Sequence, residues 1–413
     1  MHLGVEGEDK KRLLTNFFSL FSLKVVNQLL PLLSFPYLVK VLGVEKFGLL
    51  AFITVTVGYF EVLIEYGFGL TATKDIASSR EDKEALSRIV SSVLLIKLFF
   101  IGISLILLTL FLQLSPRFLE DSFVYYVSFF ALSLQLLSPQ WFFMGMERMH
   151  MITLFNVGSK LFFTLLIFMV VQEESDYWKV PLVQLAGVGM VAMVSFIIVF
   201  FYEKIHFRFD REKIEYYLKY NFSFFLSRVA VHLYTHSNIF FLGLFAGNSV
   251  VGYYSIAQKI AVLLQSFYTL ILQVIYPYMA RVKNSLFLKR ILSISTLVNA
   301  MLLTLLYFFS DRLFQKLFGL GECCLNEVFH ILLLSNLFTV PSLLLGYPFL
   351  GVLGYEKEVN LSVMYGALLH LLGLGILLFL ERFNLYSVAM MMVVTEVFVL
   401  LYRGYSIYQK RVW

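Results

Sequence analysis

Long apolar segments recur along the 413 residues of this chain, and short polar stretches separate each segment from the next. A helix needs roughly 20 mostly apolar residues to cross the hydrocarbon core of a bilayer. The pattern therefore predicts an all-α integral membrane protein with twelve transmembrane helices. The predicted spans cover residues 13–42, 47–72, 89–112, 123–144, 152–171, 180–201, 217–244, 250–278, 287–309, 325–348, 361–380 and 385–405.

The connections between these spans are too short to hold a soluble domain. The longest of them, residues 73–88, has 16 residues. Over the whole chain 59% of the residues are hydrophobic and 15% are charged, which is far from the composition of a soluble domain. An appended catalytic lobe is therefore not expected, whereas a site inside the bilayer stays open.

Lysine and arginine are distributed unevenly between the two sides of the predicted topology. With the N-terminus inside, 20 of them fall in the inside segments or at the span ends that adjoin those segments, and 6 fall in the outside segments. Because cytoplasmic loops carry an excess of positive residues, this bias predicts that both termini are cytoplasmic. The basic residues are spread over many loops of one face, which argues against nucleic acid as a partner.

The two halves of the chain share a short series of residues at a nearly constant offset. Asn16, Phe17 and Ser22 match Asn221, Phe222 and Ser227 at an offset of 205, and Gly43 and Gly48 match Gly247 and Gly252 at an offset of 204. Six spans per half is an even number, so both halves enter the membrane in the same direction. Parallel repeats of this kind are related by an axis along the membrane normal. We expect two six-helix lobes, residues 1–209 and 210–413, that are related by a pseudo-two-fold axis around a central cavity.

Charged and titratable side chains inside the spans are the candidates for a binding site. Arg228, His232 and His236 follow one another in steps of four, so they share one stripe of the seventh span. A charge at bilayer depth costs roughly 2.5–3.5 kcal/mol, so the stripe should face a wet cavity or other helices. Lys24 lies one position beyond the residue that matches Arg228, at the same depth in the first span. The sequence predicts that both spans present basic groups to an anion in the central cavity.

Two interpretations of this stripe stay open. Arg228 either contacts substrate, since its planar fork can bond two phosphate oxygens at once, or pairs with a buried acid such as Glu61. His232 and His236 titrate near neutral pH, so they could add positive charge or carry a proton. His370 is alone in the eleventh span, and we expect it to form a hydrogen-bonded helix contact.

Other side chains within the spans are weaker candidates. The lysines that could bind substrate are Lys97, Lys160 and Lys259, although snorkelling or pairing would also explain them. The acids that could couple transport to an ion, or act as counter-ions, are Glu61, Glu65 and Glu396. Pro31 and Pro36 predict a kink in the first span, which is either a static bend or a gate that bends during transport.

The sequence carries no motif for a cofactor or for covalent catalysis. Walker, GxSxG and GxGxxG patterns are missing, and the two histidines of the seventh span lack a third metal ligand at recognisable spacing. We therefore expect no enzymatic activity, no cofactor and no metal. Any energy for transport would come from an ion gradient, the membrane potential or the gradient of the substrate itself.

Two stretches of the first 150 residues resemble a known family. The residues that carry the likeness are Asn16, Pro31, Pro36, Tyr37, Leu38, Leu42, Gly43, Phe47 and Gly48 in one stretch, and Pro139, Trp141, Phe143, Gly145 and Glu147 in the other. Together they resemble the polysaccharide-transport branch, the Wzx-type O-antigen flippases, of the multidrug/oligosaccharidyl-lipid/polysaccharide exporter superfamily.

This resemblance implies a flippase of the bacterial inner membrane. Its substrate would be an undecaprenyl-pyrophosphate-linked oligosaccharide, moved from the inner to the outer leaflet by alternating access of two lobes around a cationic cavity. The implied partners are this lipid-linked oligosaccharide and membrane lipids, with a polysaccharide polymerase and a chain-length regulator as further candidates.

Two other functions stay in competition with this one. A cation-coupled multidrug antiporter of the same superfamily would commonly carry an acid in its first span, where this chain has Lys24 and no acid. An integral-membrane polysaccharide polymerase or glycosyltransferase would usually show a long outside loop or a cluster of acids. The longest outside loop here, residues 310–324, holds one Asp and one Glu.

Overall fold

The computed structural model of the chain describes residues 3–282, 285–321 and 323–412; the side chains of residues 3–32, of Cys323 and of some positions between 227 and 287 lie outside the description. All of the regular structure in these ranges is helical. The α-helices are α1 Leu3–Glu65, α2 Phe68–Ser78, α3 Lys83–Leu112, α4 Pro116–Glu120, α5 Ser122–Leu137, α6 Gln140–Gly145, α7 Met149–Val170, α8 Lys179–Ile197, α9 Arg211–Phe245, α10 Asn248–Val282, α11 Ser285–Phe318, α12 Cys323–Leu345, α13 Glu356–Phe379 and α14 Leu385–Lys410. A 3₁₀ turn, Glu174–Trp178, precedes α8, and π-helical turns, Ile198–Tyr202 and Gly346–Gly351, follow α8 and α12.

The helices are long and apolar enough for a multi-pass membrane protein. Within the described ranges, nine helical stretches meet the length and hydropathy that a membrane crossing needs. One of them, Leu33–Ser78, joins part of the first predicted span to the second, and α9 and α10 are not among the nine. The all-α membrane fold is as expected, and the number of twelve spans stays a prediction.

The first helix changes direction at a glycine. Within α1 the backbone leaves helical geometry at Gly43, where φ is 70° and ψ is 171°. Pro36 lies inside the helix and is half-buried, whereas the side chain of Pro31 falls outside the described residues. The gating role proposed for the two prolines therefore stays a prediction.

The chain divides into two compact units. Unit 1 contains Met1–Val41 and Thr56–Leu226, and unit 2 contains Leu42–Val55 and Ser227–Trp413. These units differ from the predicted lobes, residues 1–209 and 210–413, by the assignment of residues 42–55 and 210–226. The lobe boundary stays a prediction.

In unit 1 the motif around Trp141 joins the short helix α6 to α2. A Cβ atom on Gly145 would lie 2.6 Å from Ile76 Cγ2 and 2.9 Å from the Thr73 carbonyl oxygen, so only glycine permits this approach. The Thr73 hydroxyl donates to the Trp141 carbonyl oxygen at 3.3 Å, and Arg80 Nε donates to the Gly145 carbonyl oxygen at 2.8 Å. The motif is thus a packing feature of the fold.

In unit 2 a buried asparagine links three long helices. Asn336 of α12 donates to the Ala261 carbonyl oxygen of α10 at 3.0 Å, and Asn299 of α11 donates to the Asn336 carbonyl oxygen at 3.2 Å. Gln265 of α10 donates to Asn336 Oδ1. Hydrogen bonds of this kind offset the cost of burying an amide in a membrane bundle.

The glycines that carry the sequence repeat have matching conformations. Gly43 and Gly247 both have positive φ, 70° and 95°, which glycine adopts at little cost. Each of them directly precedes a helical segment of unit 2 that contains the second glycine of its pair. The conformational equivalence supports the repeat beyond the identity of the residues.

The second glycines of the two pairs lie against each other. A Cβ atom on Gly48 would fall 1.9 Å from the Asn248 carbonyl oxygen and 2.6 Å from the Gly252 nitrogen. A Cβ atom on Gly252 would fall 2.2 Å from the Val44 carbonyl oxygen. Small residues let helix backbones touch in membranes, where burial of side chains from water gives little driving force.

Replacing Gly48 tests this backbone contact. We expect Gly48→Ala to lower the free energy of unfolding by about 1–3 kcal/mol, because the added methyl group must push two backbones apart. The matched control is Gly58→Ala in the same helix, where a Cβ atom meets nothing within 4 Å. Thermal unfolding of the purified protein in detergent measures both. Equal midpoints for the two variants would contradict the contact.

Candidate functional site

The predicted basic stripe lies on one continuous helix. Helix α9 runs from Arg211 to Phe245, so Arg228, His232 and His236 follow one another at intervals of about one turn. All three side chains are half-buried, and the imidazole rings of the two histidines have their centroids 5.4 Å apart. The stripe predicted from the sequence therefore brings the two imidazole rings close together at its C-terminal end.

The stripe keeps polar groups that the protein itself does not satisfy. Nδ1 of His232 is buried and has no hydrogen-bond partner among the described residues. Over the same part of the chain, Arg228 forms no ion pair with an acid. A buried polar atom without a partner costs about 1–3 kcal/mol, which a bound polar group would recover. This geometry suits a site for an anionic, hydrogen-bonding ligand.

The other predicted basic residues have different surroundings. The side chain of Lys24 falls outside the described residues, so its role stays a prediction. Lys259 of α10 is exposed, with Nζ 5.1 Å from the centroid of the Phe47 ring, which is a cation–π distance. Lys160 of α7 is half-buried and lines a cavity of unit 1.

Lys97 forms a buried ion pair with one of the predicted acids. Its Nζ lies 2.6 Å from Glu65 Oε2 and donates to the Leu136 carbonyl oxygen at 2.8 Å. The side chains are 1% and 16% exposed, respectively. The other carboxylate oxygen of Glu65 accepts from the backbone nitrogen of Gly69 at 2.7 Å, at the start of α2. The geometry favours the counter-ion interpretation of Glu65, and substrate contact by Lys97 stays a prediction.

The two remaining acids differ in burial. Glu61 of α1 is half-buried and takes part in no ion pair within the described residues. Glu396 of α14 is 8% exposed and lines a small cavity together with Arg403. Whether either acid couples transport to an ion stays a prediction.

Arg403 is a buried side chain that sequence reasoning did not single out as a candidate. Its Nε donates to Ser362 Oγ at 2.9 Å, and Nη1 donates to Ser342 Oγ at 3.1 Å. A Cβ atom on Gly346 would lie 2.9 Å from Nη1, so the π-helical turn after α12 makes room for the guanidinium. The position of Arg403 inside the predicted twelfth span, residues 385–405, is the sequence signal that could have indicated its burial.

His370 forms the hydrogen-bonded helix contact that the sequence predicts. Its Nδ1 lies 2.8 Å from Thr395 Oγ1, and its Nε2 lies 2.8 Å from Asn238 Oδ1. Asn238 Nδ2 in turn donates to the Tyr254 hydroxyl at 2.7 Å. This buried chain ties α9, α10, α13 and α14 together, so we assign His370 to the scaffold of unit 2.

Ion pairs also join the polar connections of unit 1. Arg80 Nη2 lies 2.6 Å from Glu147 Oε1, and Arg148 pairs with Glu203. The hydrogen bond from Arg80, together with its charge, lowers the pKa of Glu147 below its usual value. Glu147 is the last residue of the predicted motif, so its carboxylate adds a polar contact to the packing of α6 on α2.

Comparison with known sequences places these features in a family context. The family described as "Polysaccharide biosynthesis protein" matches residues 13–283. A protein of Escherichia coli (strain K12) named "Putative O-antigen transporter" is 30% identical over 357 residues, which are 84% of this chain and 85% of that protein. A protein of the same name from Shigella dysenteriae is 26% identical over 279 residues, or 65% of this chain and 68% of its own length.

Solved structures of two transporter types share the fold. "Lipid II flippase MurJ, inward closed conformation" has a TM-score of 0.75 at 14% identity, covering 95% of this chain and 87% of that one. An inward-facing multidrug resistance MATE family transporter has a TM-score of 0.70 at 15% identity, covering 92% and 95%. At such identities the likeness concerns the fold alone, and it confirms the expected membrane-transporter fold.

The Lys97–Glu65 pair can be separated experimentally from a substrate site. Lys97→Met should lower the free energy of unfolding by about 3 kcal/mol, because a largely buried carboxylate is left without its partner. The double variant Lys97→Met/Glu65→Gln should recover most of that loss. Lys83→Met, an exposed position on the same helix, is the matched control. Thermal unfolding and transport are measured for each variant.

A different result would contradict the counter-ion interpretation of the Lys97–Glu65 pair. If Lys97→Met unfolds like the wild-type protein but loses transport, and the double variant does not recover it, the counter-ion interpretation is wrong and Lys97 contacts substrate.

Proposed function

This chain belongs to the polysaccharide biosynthesis protein family, and we propose that it is a flippase that moves lipid-linked oligosaccharides across a bacterial membrane. Membership confirms the resemblance carried by the motifs in the first 150 residues. The names of the two relatives support O-antigen-type oligosaccharide as cargo. The full proposal specifies an undecaprenyl-pyrophosphate carrier, transfer from the inner to the outer leaflet of the inner membrane, and cytoplasmic termini.

The observation that carries the proposal is the incompletely satisfied stripe on α9. A pyrophosphate loses its hydration on entering hydrocarbon, and a cationic, hydrogen-bonding site replaces part of that hydration. Arg228 can bond two phosphate oxygens at once, and the buried Nδ1 of His232 offers a further hydrogen-bonding group one turn away. The apolar polyprenyl tail needs no such site, because it can remain in lipid.

Transport then requires the site to open alternately to the two sides of the membrane. We assign this motion to the two predicted six-helix lobes, with Lys24 and the α9 stripe as the basic groups that each lobe contributes. The sequence carries no ATP-binding motif, so the driving force is an ion gradient, the membrane potential or the substrate gradient. A polysaccharide polymerase and a chain-length regulator would act on the product at the outer leaflet.

The antiporter alternative is weaker on residue chemistry. The MATE likeness concerns the fold, which several functions share. A site for cationic drugs needs an unpaired acid. Glu65 is already paired with Lys97 at 2.6 Å, which leaves Glu61 as the candidate acid that forms no ion pair among the described residues. The basic stripe fits an anionic cargo better.

A leaflet assay in cells tests the proposed function. In a strain that lacks the gene, single lipid-linked repeat units should accumulate on the cytoplasmic leaflet. Supplying the cloned gene should restore their transfer to the outer leaflet. Units that reach the outer leaflet but remain unpolymerised would identify a polymerase instead. Isotope-labelled sugar together with a membrane-impermeant probe reports which leaflet holds the units.

Charge reversal at Arg228 tests the site itself. Arg228→Glu should reduce translocation by about tenfold or more, since a charge-assisted hydrogen bond is lost and a repulsion replaces it. The matched control is Lys219→Glu, a charge reversal at an exposed position of the same helix, which should stay close to wild type. Membrane protein levels are measured in parallel. Full translocation by Arg228→Glu would refute its role in substrate binding.

A further inference from the structure

Unit 1 contains a cavity with several carboxamide side chains in a largely apolar lining, which the basic stripe does not explain. The cavity has a volume of about 290 Å³ and lies between α5, the start of α6, α7 and α8. Its carboxamide side chains are Gln135, Gln140, Asn156 and Gln184. The volume is close to the lower end of the roughly 300–1,000 Å³ that is usual for small-molecule sites. The three helical stretches that form the cavity are each long and apolar enough to cross the membrane.

The carboxamide side chains of the cavity are available to a ligand. Among the residues that the structure describes, none of these side chains forms a hydrogen bond. Gln135 and Gln184 are exposed, and Gln140 and Asn156 are half-buried, so a ligand can reach them. An amide moved from water into an apolar environment without a hydrogen bond costs roughly 2–7 kcal/mol. Four such groups at one cavity do not improve helix packing. A ligand with many hydrogen-bonding groups would form bonds with them.

The chemistry of the lining matches a sugar. A carboxamide both donates and accepts, as each sugar hydroxyl does, so one amide can bond a pair of neighbouring hydroxyls. The hydroxyls of Ser138 and Ser159 add further groups of the same kind, and the rings of Phe155 and Phe163 provide apolar surface for the C–H face of a pyranose. Among the described residues that line the cavity, Lys160 is the single basic one. A phosphate would call for more cations, and an acyl chain would call for no amides.

The cavity is built on closely packed helices. A Cβ atom on Gly187 of α8 would lie 3.3 Å from Ser159 Oγ and 3.4 Å from Phe162 Cδ1, so α7 and α8 are in tight contact beside the cavity. Ser138 Oγ donates to Ser195 Oγ at 3.4 Å, which joins the end of α5 to α8. Polar groups on rigid elements hold a ligand more effectively than the same groups on loops.

We propose that this cavity binds a sugar residue of the lipid-linked oligosaccharide, through Gln135, Asn156 and Gln184. The inference rests on the proposed function and adds a glycan site, on helices of unit 1, to the pyrophosphate site on α9. The two sites recognise different parts of one cargo. A change in the carboxamides should therefore alter the response to the glycan without altering the response to the pyrophosphate carrier.

Binding of two lipids to the full-length protein in nanodiscs tests whether the glycan and the pyrophosphate are recognised at separate sites. The first lipid is undecaprenyl pyrophosphate without sugar, and the second is the same carrier with the oligosaccharide, extracted from the host cells. Wild-type protein should bind the glycosylated lipid more tightly. Asn156→Leu and Gln184→Leu should each weaken that binding by about threefold to tenfold, as expected for lost hydrogen bonds, and leave the sugar-free lipid unchanged.

The controls separate this proposal from the proposed function. Gln113→Leu makes the same chemical change at an exposed position outside the cavity and should alter neither affinity. Arg228→Glu should weaken the binding of both lipids equally. If either cavity variant elutes as aggregate, Gln135→Leu provides the same comparison at an exposed position.

The opposing results are distinct. Unchanged binding of the glycosylated lipid by the cavity variants, or an equal loss for both lipids, overturns the glycan site and leaves the flippase proposal standing. If wild-type protein binds neither lipid, the flippase proposal fails, and the glycan site fails with it.

Discussion

The structure depends on how polar groups inside a hydrocarbon medium find partners. Helices satisfy the backbone internally, which leaves side chains as the polar groups that must be matched across the bundle. Lys97 is matched by Glu65 at 2.6 Å, and Arg403 is matched by Ser342 and Ser362. Each of these contacts fixes helices that are distant in sequence, so the cost of burying a polar group is turned into specificity of packing.

The same constraint divides scaffold from site. His370 uses both ring nitrogens within the protein, whereas His232 keeps a buried Nδ1 without a partner among the described residues. The carboxamide of Gln184 is likewise without a bond in the described part of the chain. Because an unmatched polar group is costly in this medium, a polar cargo that bonds to His232 and Gln184 would lower that cost. Matched groups such as His370 hold the fold.

Close backbone contact is the second means by which the helices pack. Apolar side chains gain little by leaving lipid for protein, so attraction must come from surfaces that fit closely. Gly48 and Gly252 permit such a fit in unit 2, and Gly145 permits it between α2 and α6 in unit 1. This contact also explains the sequence repeat. The repeat keeps glycine at the two positions that touch, 48 and 252, and at the two positions with positive φ that precede them, 43 and 247.

The sequence by itself determined the all-helical membrane class, the family resemblance, the shared stripe of Arg228, His232 and His236, and the helix contact of His370. These follow from properties along one helix: apolar length, a period of 3.6 residues, and the cost of a charge at depth. Only the tertiary structure decided that Lys97 meets Glu65 and that Arg403 is buried, and it also brought carboxamides from separate helices to one cavity. Local periodicity tells which residues share a face, but it carries no information about which face of another helix lies opposite. That pairing is fixed by packing across the bundle, where distances of a few ångströms join residues that lie far apart in the chain.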